Sequence, residues 1–374
     1  MIIGVDIREW QPGRYTGIGR FLEEFVRAAA AARPRDRFLL VGDGACEIRV
    51  QAENIEVVRI PERWTLWWDQ VALPMALAQA RADVFYSPYI KVALLSRVPV
   101  VSTIHDLTFL LLDEYNRRPL DRVVNGLFRL FCWFVVRRVA AIVVDSMISA
   151  RDVQRVLAPD PTKVRVIPLA TTAIFHPEPD HRADIDVWKR YGLDHGYVLY
   201  VGGFSPHKNV PNLVRAHSAL PESLRSKHPL VLVGVPVPQE LQRLLRSSNA
   251  ALGIRAVGSV PDADLPGLYR GAALFAFPSR YEGFGLPVLE AMACGVPVLC
   301  STAPALLELT GGAARHIDPD DRSEWERALA SLLEDADQRE KLAMQGLARS
   351  ALYHPNRMAD KILNVLDEVS GCKC

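Results

Sequence analysis

Glu282 and Glu290 stand on either side of a Gly-Phe-Gly-Leu-Pro corner in the stretch SRYEGFGLPVLEAMACGVPVLCS, residues 279–301. The preceding ALFAFPS reads as the end of a strand, EGFG as a tight turn and LPVLEAMAC as a helix. Pro287 suits the first helical turn, where a missing N–H costs nothing. The N–H groups at such a start, over Phe284, Gly285 and Leu286, suit an anion, and glycine lets a ligand approach the backbone without a Cβ in the way. Glu290 falls about one turn into the helix, about 6 Å along its axis, where a carboxylate can accept two hydrogen bonds from a diol such as a ribose. Glu282 on the turn reaches a second polyol beyond the phosphate. The order polyol, phosphate, polyol is the outline of a nucleoside diphosphate sugar. The spacing leaves a plainer reading open: a glutamate at a helix start also complements the helix dipole, and one further along also serves a solvated face.

Other residues invite chemistry. Lys208, in GGFSPHKNVPNLVRA, follows a strand and precedes a helix. It is a point charge suited to a diphosphate, or else a surface lysine. His105 and Asp106 end the strand VPVVSTIHD, and strand carboxyl ends are where ligands bind in open parallel sheets. Alternatively, Asp106 only caps a helix beside an incidental histidine. QPGRYTGIGRF has Leu22 where a dinucleotide fingerprint needs its third glycine. Its Gly17 and Gly19 make either a loop able to close over a site or a plain strand-to-helix turn. Asp-x-Asp occurs at 184–186, 262–264, 318–320 and 335–337. These pairs sit in linker or cap contexts where Asp is common, so all four read as structural and no metal ligand is assigned.

The elements that must position these groups are legible as apolar runs. IIGVDI, RFLLVGD, IEVVRI, DVFYS, VPVVSTI, AAIVVDS and KVRVIPLA come first, and YVLYVGG, PLVLVGV, IRAVGSV, ALFAFPS and VPVLCS follow a Pro-, Asp- and His-rich break near Ala170. Continuous apolar strands alternating with helical patterns indicate parallel sheets covered on both faces. With 374 residues, two doubly wound α/β domains are expected, residues 1–170 and 171–355, with a C-terminal helix over 356–374 crossing back to the first. A net charge of +1 gives no general attraction to nucleic acid. The chain opens on a strand rather than a leader, and no apolar run reaches the ~20 residues of a membrane span. Cys46, Cys132, Cys294, Cys300, Cys372 and Cys374 show no CxxC spacing, which suits a reduced, cytoplasmic protein; Cys372-Lys373-Cys374 reads as a frayed tail. RRPLDRVVNGLFRLFCWFVVRRV carries six arginines, one acid and four aromatics, with Val123, Leu127, Phe131 and Phe134 on one helical face. That face either lies on an anionic membrane or is buried in its domain. Trp64, Trp67 and Trp68 line an acceptor side or fill a core.

YEGFGLPVLEAMACGVPVLCS resembles the glutamate-x7-glutamate signature of family-4 retaining glycosyltransferases. TGIGRFLEEF, LWWDQVALP, ADVFYSP, STIHDLTFLL, VIPLATTAIFHP, YVGGFSPHKNVPNLVRAH and VGSVPDADLPGLYRGAALFAFPS agree in order, so the resemblance covers nearly the whole chain. It is nearest to the bacterial mannosyltransferase-like branch that builds cell-surface polysaccharide. The resemblance implies the GT-B fold, two Rossmann-like domains facing across a cleft. It implies that Lys208 grips the donor phosphates, usually beside an arginine where this chain has His207. It places His105 at the transferred sugar, the Gly17 loop against donor phosphate and acceptor, and the backbone of Ser259 and Val260 beside the base. It implies no cofactor, a nucleotide-sugar donor for which GDP-mannose is favoured, and a glycan or lipid-linked saccharide acceptor; peripheral contact with the inner membrane leaflet is one of the two readings of the basic amphipathic stretch, and the net charge points to no nucleic-acid partner. The alternatives are a sugar-nucleotide epimerase or phosphorylase of the same fold, and a non-catalytic sugar-nucleotide-binding protein.

Overall fold

The computed structural model describes all residues except 14–15, 62–63, 117, 236, 240, 244–252 and 372–374. The chain divides into two units, Met1–Ala170 with Tyr353–Cys374, and Thr171–Leu352. The return to the first unit thus begins at Tyr353, three residues earlier than expected. The Cys372-Lys373-Cys374 tail lies outside the described residues.

In the first unit seven strands are described: β1 (Ile2–Asp6), β2 (Arg37–Gly42), β3 (Ile55–Arg59), β4 (Val84–Ser87), β5 (Val100–Ile104), β6 (Ala141–Val144) and β7 (Val164–Val166). They form one parallel sheet in the order β3-β2-β1-β4-β5-β6-β7. Every residue of β4, β5 and β6 is buried, whereas every residue of β3 is half-buried or exposed. Central parallel strands are covered by helices on both faces and an edge strand is not. The helix Gly17–Ala32 joins β1 to β2 and buries Phe21, Leu22, Phe25, Val26 and Ala29.

The second unit contains β8 (Tyr197–Val201), β9 (Leu230–Val233), β10 (Ile254–Gly258), β11 (Ala272–Phe277), β12 (Val298–Ser301) and β13 (Arg315–Ile317), ordered β10-β9-β8-β11-β12-β13 and parallel throughout. Each sheet reverses its winding at one place, between β1 and β4 and between β8 and β11. Such switch points leave a crevice at the strand carboxyl ends. The Asp-rich stretch after Ala170 is not all linker, because His181–Arg190 is a helix. Asp184 on it is buried against Arg270, with bonds of 2.8 and 2.6 Å. The other Asp-x-Asp pairs are also engaged: Asp264 with Arg190 and Tyr191, Asp320 with Arg280, and Asp335 as an N-cap. Cys46, Cys132, Cys294 and Cys300 are buried free thiols.

The last helix, Pro355–Ser370, starts with proline in its first turn and buries Met358, Ala359, Ile362, Leu363, Val365 and Leu366 on one stripe. Arg33, just after the first helix, ties it down through Asp367 at 2.7 Å. Leu366 is fully buried. Leu366→Ala should cost about 2–5 kcal/mol through lost transfer energy and the cavity left behind. Hydrogen exchange under mild urea should show β1–β7 opening faster; unchanged protection there would mean that this helix contributes nothing to the first core.

Candidate functional site

Lys208 and Glu282 are 74 residues apart in sequence and meet because β8 and β11 are paired neighbours. After β8 the chain turns at Gly202 and runs through a short 3₁₀ turn, Pro206–Lys208, into the helix Val210–Ser218. Asn209 takes the left-handed conformation between the two, φ 54° and ψ 26°, a region asparagine tolerates better than most residues. Its side chain donates to the Pro319 carbonyl at 2.5 Å. The loop after β11 is stitched to this one by the Arg280 N–H donating to the His207 carbonyl at 2.7 Å. Lys208 Nζ then donates to Glu282 Oε1 at 2.7 Å and Oε2 at 2.9 Å, with side chains only 19% and 10% exposed. Nζ also lies 5.5 Å from the centre of the Phe277 ring. The two residues expected to grip different parts of a donor are thus joined in one ion pair.

The Gly-Phe-Gly-Leu-Pro corner forms as expected, with a helix at Leu286–Ala293 and Gly285 as its N-cap. The reason for Gly285 is steric before it is functional. Its φ is +108°, and a Cβ there would sit 2.5 Å from Leu306 Cδ2. Phe284 is buried, and Leu286 is half-buried at the first helical position. Glu290 is 1% exposed and accepts the Tyr269 hydroxyl at 2.9 Å. This corrects the solvated-face reading, and it also turns the carboxylate inward rather than displaying it. His207 is buried as well. Arg280 is next to it through the backbone, but its guanidinium bonds Asp320 at 2.8 and 2.6 Å. Beyond β10, Ser259 is exposed and Val260 half-buried.

In the first unit, His105 follows β5 directly. Its Nδ1 lies 2.8 Å from Asp145 Oδ2 and its Nε2 2.9 Å from the Pro88 carbonyl. Burial works against a charged ring here, but the Asp145 charge and hydrogen bond outweigh it, and the pKa is raised above the ordinary histidine value. Asp106 Oδ1 accepts from the Thr108 N–H at 2.9 Å, but the N-cap of the short helix Thr108–Leu111 is Leu107, so Asp106 is not the capping residue that the sequence left as its alternative. Gly17 is exposed and opens the helix Gly17–Ala32, with Thr16 as N-cap accepting from Gly19 N at 3.0 Å. The glycines belong to a capped first turn and not to a free loop. The tryptophans divide: Trp68 is buried, Trp67 half-exposed, and Trp64 exposed.

Sequence reasoning missed Arg8. At the β1/β4 switch point its guanidinium bonds Asp6 at 2.7 Å and Asp69 at 2.8 Å and lies 3.7 Å over the Trp68 ring. It also missed Asp145 and Tyr269. An acid immediately after AAIVV was a usable signal for Asp145, since it occupies the strand-end position that His105 has after VVSTI.

The helix Pro119–Arg138 presents an apolar face outward. Leu120, Val123 and Leu127 are 71%, 58% and 64% exposed, and Val124, Leu130 and Phe134 are exposed beside them. The opposite side is the buried one, through Cys132, Val135 and Val136. Phe131, expected on the same face as Val123, is half-buried against Phe128. Among the described residues no helix is long and apolar enough to cross a membrane, and no group of His, Cys, Asp or Glu is arranged to hold a metal ion.

Comparison with known proteins identifies the family and the fold. Residues 15–171 match the model of Glycosyltransferase Family 4, and residues 189–349 match that of Glycosyl transferases group 1. The O-antigen chain mannosyltransferase B of Escherichia coli is 30% identical over 95% of this chain and 97% of its own length. The chain belongs to the family-4 glycosyltransferases. Its fold is GT-B: sucrose-phosphate synthase from Thermosynechococcus elongatus superposes with a TM-score of 0.78 at 20% identity, covering all of both chains. WaaG, a glycosyltransferase involved in lipopolysaccharide biosynthesis, gives 0.76 at 16% identity over 99% of this chain and 100% of its own. Of the readings the residues left open, sugar transfer is the one this family carries.

An anion approaching Lys208 meets the charge of Glu282 as well. Glu282→Gln removes that charge while keeping the shape, and should tighten binding of a free nucleoside diphosphate about tenfold, or about 1.4 kcal/mol. Lys208→Ala should weaken it by about 1.5–3 kcal/mol. Calorimetry on both variants checks this, and weaker binding by Glu282→Gln would mean that the carboxylate itself holds the nucleotide.

Proposed function

We propose that this glycosyltransferase moves mannose, with retention of configuration, from GDP-mannose to a hydroxyl of a glycan or lipid-linked acceptor in surface-polysaccharide synthesis. The observation that carries the reading is the Lys208–Glu282 pair at the β8/β11 switch point, one turn of chain from the helix start at Leu286. The kinship with an O-antigen mannosyltransferase over nearly the full length of both chains supports the sugar and the pathway class.

In this reading the diphosphate draws Lys208 away from Glu282 and rests against the N–H groups at Phe284, Gly285 and Leu286. Glu282, released, accepts hydroxyls of the transferred sugar. Glu290 exchanges the Tyr269 hydroxyl for the ribose diol, and the backbone of Ser259 and Val260 flanks the base. His105 meets the sugar. The bond from the anomeric carbon to the phosphate oxygen breaks, and the acceptor oxygen bonds to the same face of that carbon. The acceptor proton passes to the departing phosphate oxygen, so no enzymic nucleophile or separate base is required. Lys208 and the helix start stabilise the charge that grows on the leaving diphosphate. Proton NMR of the first-formed product should show the anomeric configuration of the donor, with the rate unchanged by EDTA. An inverted product, or activity restored only by Mg²⁺ or Mn²⁺, would overturn the mechanism.

The outward apolar face of the helix Pro119–Arg138 is assigned to the surface of an anionic membrane, where a lipid-linked acceptor would be found. Arg118, Arg122, Arg129, Arg137 and Arg138 accompany it, and basic residues on an amphipathic helix attract anionic headgroups by about 1 kcal/mol each. The chain should co-sediment with phosphatidylglycerol-containing vesicles and not with neutral ones, and Leu127→Glu should release it. Equal recovery with both vesicle types would exclude this surface.

A further inference from the structure

We propose that Asp145 is a positioning residue that keeps His105 doubly protonated, so that this histidine serves the transfer as a hydrogen-bond donor and never as a base or nucleophile. The part played in transfer rests on the reading above that His105 meets the sugar; the state of the ring does not.

The register of the sheet creates the pair. Ile104 of β5 is aligned with Val144 of β6, so the next residue on each strand, His105 and Asp145, emerge side by side at the carboxyl edge. Pro88 follows β4 on the other flank of β5. A carbonyl oxygen can only accept, so the 2.9 Å contact with Pro88 requires a proton on Nε2. The 2.8 Å contact between Nδ1 and Asp145 Oδ2 requires a second proton, because two lone pairs would repel at that distance. Asp145 is only 2% exposed, and its Oδ1 has no hydrogen-bond partner among the described residues. With the shared proton on Nδ1, the imidazolium is the cation that compensates this buried carboxylate, which burial pushes toward its neutral form and the His105 charge holds back.

The surroundings agree. Burial opposes the charged ring, but Asp145, then Asp106 and the Pro88 carbonyl, outweigh it and raise the pKa. The Phe21 ring packs edge-on at 5.4 Å from the helix Gly17–Ala32. Ser149, on the helix Met147–Leu157, donates to the His105 carbonyl at 3.1 Å. Tyr86 of β4, whose hydroxyl bonds Thr103 at 2.7 Å, also feels the Asp145 charge. The ring is thus held from the ends of β4 and β6 and by one helix, and its backbone by a second helix.

The pair also suits the chemistry. Positive charge grows on the anomeric carbon during glycosyl transfer, as in glycoside hydrolysis. A lone imidazolium would oppose it. With Asp145 the pair is neutral overall, yet Nε2 retains its proton and can pass it from the Pro88 carbonyl to a sugar hydroxyl as a hydrogen bond.

The first test is ¹⁵N NMR of histidine-labelled protein, with the His105 signals identified by their absence from His105→Gln. Both ring nitrogens should remain protonated at pH 8. An unprotonated nitrogen at that pH overturns the proposal, and this measurement needs no variant at position 145. In Asp145→Asn the amide donates to Nδ1, the ring becomes neutral, and its pKa falls, because burial is no longer outweighed by the Asp145 charge. Transfer by Asp145→Asn should drop about 10- to 100-fold at pH 8, the loss of a charge-assisted hydrogen bond. It should recover as the pH is lowered and the ring regains its proton, with affinity for free nucleoside diphosphate unchanged. A pH profile superimposable on the wild type, with the ring signals also unchanged, overturns the proposal. Altered ring signals with unaltered transfer would uphold the protonated pair and overturn the placement of His105 on the sugar.

Discussion

Two parallel strands cannot be joined by a tight turn; each connection must cross back over the sheet before the next strand begins. This constraint governs both units. It forces helices onto both faces, which accounts for the fully buried β4, β5 and β6. It also makes every strand leave the sheet by the same edge. Residues that follow strands are therefore neighbours in space whatever their separation in sequence. Lys208 and Glu282 meet after β8 and β11, His105 and Asp145 after β5 and β6, and Asp6 and Arg8 lie at the end of β1.

At these edges the basic groups are found with acids rather than alone. Lys208 has Glu282, His105 has Asp145, and Arg8 has Asp6 and Asp69. Taking an isolated charge out of water costs far more than taking out a matched pair, so these sites remain foldable without a ligand. The consequence for function is competition. A substrate phosphate or hydroxyl must replace a contact that already exists, and affinity reports the difference between two sets of bonds. On the proposed reading, a sugar joined to a diphosphate would satisfy both members of the Lys208–Glu282 pair.

The helix Pro119–Arg138 shows the opposite arrangement. Its smaller apolar side, around Cys132, Val135 and Val136, completes the core, while Leu120, Val123 and Leu127 face outward. An exposed apolar stripe of that kind is what the proposed membrane contact rests on, since large exposed apolar patches commonly accompany interaction sites. The arginines that accompany it give that site a sign.

The sequence by itself determined the parallel architecture, the break near Ala170 and the helix start at Leu286. Apolar runs, a proline in a first turn and a glycine at a positive φ are local properties of the chain. β13, with the bare sequence Arg-His-Ile, was not legible, because its strand character comes from pairing with β12. The helix His181–Arg190 was hidden among turn-forming residues and is held by contacts such as Asp184 with Arg270. Only the tertiary structure decided which charges face each other. Spacing identified Lys208, Glu282, Glu290 and His105 one at a time. Strand order and register then joined Lys208 to Glu282, turned Glu290 inward to Tyr269 and set Asp145 beside His105. The physical reason is that hydrogen bonds and ion pairs act over a few ångströms, and across a sheet those distances are fixed by which strands are neighbours, not by how many residues lie between them.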